Sequence, residues 1–138
     1  MKSLRTLLKI AKRDLDLLRR QLADQTGKRL QVEGRILGHD REVCAEQALA
    51  ARDYESARAF GSYAARAKGL RTALEAEKQS IEAEVERLRA LINEAHVEMR
   101  KFERLLELEE AREKAKQEKR EAAELDEYAT LTAGRRAV

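Results

Sequence analysis

Hydrophobic residues along this 138-residue chain recur at alternating intervals of four and three. One stripe runs Leu4, Leu8, Ala11, Leu15, Leu18, Leu22, Gln25, Arg29, Val32, Ile36. A second runs Ile81, Val85, Leu88, Ile92, Ala95, Met99, Phe102, Leu106, Glu109, Glu113, and eight of the ten positions in each are apolar. A mean spacing of 3.5 residues holds a narrow stripe on one face of a slightly underwound helix, the geometry of a left-handed coiled coil. The chain has no proline to interrupt either stripe. No alternating run reaches strand length, and no Asn-Gly hairpin turn occurs. The pattern predicts an all-α protein, a long antiparallel two-helix coiled-coil hairpin with a charged C-terminal helical extension.

The boundaries follow from capping chemistry. Helix 1 is expected over about 3–52, a bend over about 53–56, helix 2 over about 57–128 and a disordered tail over about 129–138, all within one domain. Asp53 or Ser56 can cap a new helix, and Glu55 suits its first turn. Gly27, Gly34 and Gly38 each cost up to about 1 kcal/mol against Ala in a helix but come with no stop signal. They read as flexible or closely packed turns of helix 1. Folding about residue 55 lays Leu4 to Ile36 opposite roughly Lys78 to Glu110, where the second stripe lies. One chain thus satisfies both stripes, as a rod with arms of about 75 Å at 1.5 Å per residue, and a monomer is expected. Near the bend the stripe weakens into His39, Val43, Glu46 and Ala50 on one arm and Phe60, Ala64 and Ala67 on the other. Phe60 and Tyr63 add apolar area there with little to cover it.

Composition changes this picture in three places. Charged residues make up 40% of the chain and only five residues are aromatic, so a thick core is excluded and a coiled coil is favoured. The net charge of +3 is uneven, with nine basic and three acidic residues in positions 1–30. Lys2, Arg5, Lys9, Lys12 and Arg13 can meet phosphate, anionic lipid or an acidic protein surface, or serve as a solvated face. From Glu107 to Glu127, 14 of 21 residues are charged, with a faint stripe of Ala111, Ala115, Ala122 and Leu125. Cys44 is alone and points to a reducing compartment. No run reaches the roughly 18 apolar residues of a membrane span, so a cytoplasmic protein is expected.

Catalytic chemistry finds no foothold. Gly27-Lys28 lacks the preceding glycine of a phosphate loop. His39 and Cys44 point to different helix faces, so no metal site is expected. Where a di-metal bundle needs Glu-x-x-His, positions 36 and 93 carry Ile and Asn. No catalytic residue, metal or other cofactor is expected, and the protein reads as a non-enzyme. Nucleic acid is not expected either, because the first 53 residues contain no aromatic and Asp14, Asp16 and Asp24 interrupt the basic arm. A scaffold coiled coil that dimerises through the two stripes remains the alternative.

The tail Leu125-Asp126-Glu127-Tyr128-Ala129, then Ala133 and Arg135-Arg136, together with Ala59-Phe60-Gly61-Ser62-Tyr63 after the bend and the Lys/Arg-rich start, resembles the flagellar export protein family called FliJ. The resemblance implies a non-enzymatic component of the flagellar type III export apparatus. It would bind the hexameric export ATPase as a stalk through Lys2, Leu4, Arg5, Leu8, Leu125, Asp126, Glu127 and Tyr128. It would contact the cytoplasmic domain of the membrane export gate through Val32, Ile36, His39, Val43, Phe60, Ala64, Ala67 and Arg71. It would also escort export chaperones, in the cytoplasm and peripherally at the inner membrane. His39, Val43 and Ala64 stand where the family tends to carry larger aromatic or aliphatic residues.

Overall fold

The computed structural model describes the backbone of residues 2–137 and the side chains of residues 2–135. Two helices account for 98% of the described residues, α1 over Lys2–Ala50 and α2 over Tyr54–Ala137, packed against each other as a helical hairpin. The heptad stripe is what they bury. All ten stripe positions of α1 are buried or half-buried, as are nine of the ten in α2. The exception, Glu113, is exposed because Arg5, near the start of α1, already lies against Glu110.

Residues 15–94 form one compact unit. Its core holds Leu15, Val32, Ile36, Ala67, Leu74, Val85 and Leu88, with Val32, Ile36 and Leu74 clustered and Ile81 packed on them. Ion pairs flank this core in the antiparallel register expected from the stripes: Arg35 to Glu77 at 3.2 Å, Lys78 to Glu33 at 3.9 Å, and Arg71 to Asp40. Residues 1–14 and 95–138 form the other unit. There Ala11 is buried, Leu4, Leu8, Met99 and Phe102 are half-buried, and Arg5 lies 3.8 Å from Glu110.

The bend is shorter and earlier than the capping residues alone suggest. Helix α1 ends at Ala50, where the N–H groups of Arg52 and Asp53 both donate to the Leu49 carbonyl at 3.0 Å. Asp53 is the cap: its Oδ1 accepts from the Glu55 backbone N–H at 3.3 Å, and its Oδ2 accepts from the Ser56 hydroxyl at 3.0 Å. This pairing fixes the start of α2 at Tyr54 rather than near 57. Removing the cap leaves orphan N–H groups at that start, so Asp53→Ala should cost about 0.5–2 kcal/mol in urea unfolding followed by circular dichroism.

Two further expectations change. The tail does not give way to disorder at 129, since α2 continues to Ala137. No proline stops it, and the Thr130 hydroxyl donates to the Asp126 carbonyl at 2.9 Å within the helix. Val138 lies outside the described residues. The glycines of α1 are not sites of close packing either, because a Cβ added at Gly27, Gly34 or Gly38 meets nothing within 4 Å.

Candidate functional site

In the unit formed by residues 1–14 and 95–138, the residues expected to meet an ATPase fall into two groups. Lys2 and Arg5 are exposed, while Leu4 and Leu8 of the same turns are half-buried in the stripe against α2. Leu125, Asp126, Glu127 and Tyr128 are all exposed, Leu125 at 68% and Tyr128 at 70%. The structure does not bring these groups side by side. Arg5 meets Glu110, and Leu125 lies fifteen residues further along α2, about 22 Å at 1.5 Å per residue. Between them every residue from Ala111 to Leu131 is exposed, a single helix with no part of α1 opposite it.

The heptad reading passes over a third feature of this unit. Leu7, Ile10, Ala11, Asp14, Ala95, Glu98 and Phe102 line an open groove of about 230 Å³. Leu7 and Ile10 are respectively 43% and 47% exposed. Both sit beside the stripe rather than on it, and their i, i+3 spacing was the available signal.

In the unit of residues 15–94, half of the residues expected to meet an export gate are interior. Val32, Ile36, His39 and Ala67 are buried between the helices. Val43, Phe60, Ala64 and Arg71 are half-buried and reach the surface. His39 occupies a stripe position, and its Nε2 lies 3.0 Å from the Ala67 carbonyl oxygen. A carbonyl only accepts, so this bond requires the proton on Nε2. A polar ring thereby sits in the seam without an orphaned donor.

Around it the surface carries charge and aromatic area. His39, Glu42, Tyr63, Arg66, Ala67 and Leu70 line a shallow cavity of about 260 Å³. The Phe60 and Tyr63 rings lie 6.2 Å apart and tilted by 36°, within the range of a favourable aromatic pair. Hydrogen bonding to Asp40, with the charges of Asp40 and Glu75, holds the Arg71 guanidinium above its ordinary pKa, against the desolvation that lowers it. Arg71 is therefore a fixed cation at this surface. Glu42, Arg66 and Leu70 escaped the sequence reading because they lie off the heptad stripe.

These surfaces offer contact area and charge. Among the described residues no three His, Cys, Asp or Glu side chains are grouped to hold a metal ion. No helix among them is long and apolar enough to cross a membrane. Compared with known proteins, residues 1–137 match the family model described as Flagellar FliJ protein. No curated protein and no solved structure matches the chain.

Proposed function

The chain belongs to the flagellar FliJ family and is a flagellar export-related protein, and we propose that it serves there as a non-enzymatic coupling element between the export ATPase ring and the export gate. The α2 segment beyond Glu110 enters the central opening of the hexameric ATPase as a stalk, with Leu125, Asp126, Glu127 and Tyr128 as its contacts. Lys2 and Arg5 meet the ring's acidic surface, supported by Leu4 and Leu8. The observation that carries this reading is the continuous exposure of residues 111–131, two-thirds charged over much of their length and without an intrachain partner. A stalk acts by contact. By binding one arrangement of the ring subunits better than another, it changes turnover without donating a catalytic group.

The gate contact falls to Val43, Phe60, Ala64 and Arg71, joined by Tyr63 and Leu70 on the same face. Val32, Ile36, His39 and Ala67 contribute from inside by holding the two helices in register. Export chaperones are escorted on the same molecule, which works in the cytoplasm and peripherally at the inner membrane.

The test is ATP turnover by the purified export ATPase alone, with the full chain, and with a chain ending at Leu125. Stimulation by the full chain should be lost on truncation. Circular dichroism should show both chains folded, because residues 126–131, where the deletion begins, are all exposed and the buried stripe of the hairpin lies wholly in the part retained. Absence of stimulation and of copurification by the full chain would overturn the stalk reading.

A further inference from the structure

Along α2 the apolar stripe changes face. Up to Glu109 it is the hairpin stripe, with Phe102, Leu106 and Glu109 half-buried. From Leu108 a second 3,4 rhythm begins, through Ala111 and Ala115 to Ala122, Leu125 and Ala129, and Glu118 is its one charged member before Thr132. At 3.6 residues per turn the two-residue offset rotates this second stripe by about 160° from the first. Leu108 is already 42% exposed beside half-buried Glu109, and every stripe member from Ala111 to Ala129 is exposed. A heptad stripe on the face away from the hairpin, extending past the point where α1 begins, is built for a helix that is not part of this chain.

We propose that this helix is the same segment of a second copy, paired antiparallel. Charge decides both the occupant and the direction. In a parallel in-register pair Glu118 would face its own copy in the seam, and on the flanks Lys114 would meet Lys119 and Glu121 would meet Asp126, against one attractive pair, Glu107 with Arg112. In the antiparallel pair Ala115 lies opposite Leu125, Ala111 opposite Ala129, and Glu118 opposite the small Ala122. The flanks then bring Arg112 to Asp126 and Glu107 to Arg135, each twice by the two-fold axis. Like charges meet only at the axis, Lys119 with Lys119 and Glu121 with Glu121. The Ala-rich seam allows close approach and gives a modest, concentration-dependent dimer. This pairing calls for a dimer at high concentration where a lone hairpin calls for a monomer, and it stands independently of the stalk reading. It would cover Leu125 and Asp126, so self-pairing and ring binding would compete.

The full chain should shift in sedimentation equilibrium from 15.8 kDa toward twice that mass as concentration rises. Ala122→Glu sets two carboxylates against Glu118 of the second copy and should abolish the shift. Adding Glu118→Lys to Ala122→Glu should restore it, because each new lysine then faces a new glutamate. In a parallel pair the same double variant would set lysine against lysine and glutamate against glutamate. Both positions are exposed in the single chain, so circular dichroism should be unchanged in all variants. A wild type that stays at 15.8 kDa to its solubility limit, or a double variant that remains a monomer, overturns the proposal.

Discussion

Leu88→Ala should lower the unfolding free energy by about 2–5 kcal/mol. Leu88 is 1% exposed and, among the described residues, one of the two fully buried large side chains, with Leu15 at 2%. Two helices in contact form a thin core, so few other side chains can collapse into the space a leucine leaves. Truncation then loses both the transfer energy of the removed carbons and the contacts of their neighbours. Domain stabilities are typically 5–15 kcal/mol, so this single change removes a large share. Urea unfolding of the full chain should show a lower midpoint with an unchanged slope. Leu17→Ala is the control: Leu17 is 54% exposed, and its loss should stay within about 0.5 kcal/mol. Equal effects at the two positions would mean that the stripe is not the core.

Why the burial of Leu88 could be read from sequence, and the hydrogen bond that seats His39 could not, is a matter of which forces are periodic. Burial of one helix face repeats every 3.5 residues, so the stripe, the two long helices and their antiparallel register could all be read from spacing. Leu88 and Val85 lie on it and are buried. The start of α2 depends instead on two hydrogen bonds to one side chain, those of Asp53, and no periodicity reports which of Asp53 and Ser56 takes the cap. His39 lies on the stripe too. Its burial depends on a carbonyl of Ala67 being 3.0 Å away, a pairing created by the other helix. Leu7, Ile10 and Leu70 were missed for the opposite reason. They flank the stripe, and only the packed pair of helices turns a flanking position into the wall of a groove.

Arg29→Leu should raise stability, by about 1–3 kcal/mol, because the hairpin stripe is broken by a cation that its surroundings do not fully satisfy. Arg29 sits between Gln25 and Val32 on the α1 stripe, one heptad from Leu22 and from Ile36, and its side chain is 33% exposed. Its Nε is buried and has no hydrogen-bond partner. The Oε1 of Glu33 is 3.6 Å from it, an ion-pair distance beyond the reach of a good hydrogen bond. Leucine at this position removes the unpaired donor and adds apolar area to the seam. It does not strand Glu33, whose carboxylate keeps Lys78 of α2 at 3.9 Å. The predicted sign therefore rests on an asymmetry: one partner of the pair has a second counterion, and the buried Nε of the other has no hydrogen-bond acceptor. Arg29→Ala should gain less, since it also gives up the packing of the arginine stem. Urea unfolding separates the cases, with a higher midpoint and an unchanged slope for Arg29→Leu. A lower midpoint would mean that the guanidinium contributes more through Glu33 than its unpaired Nε costs.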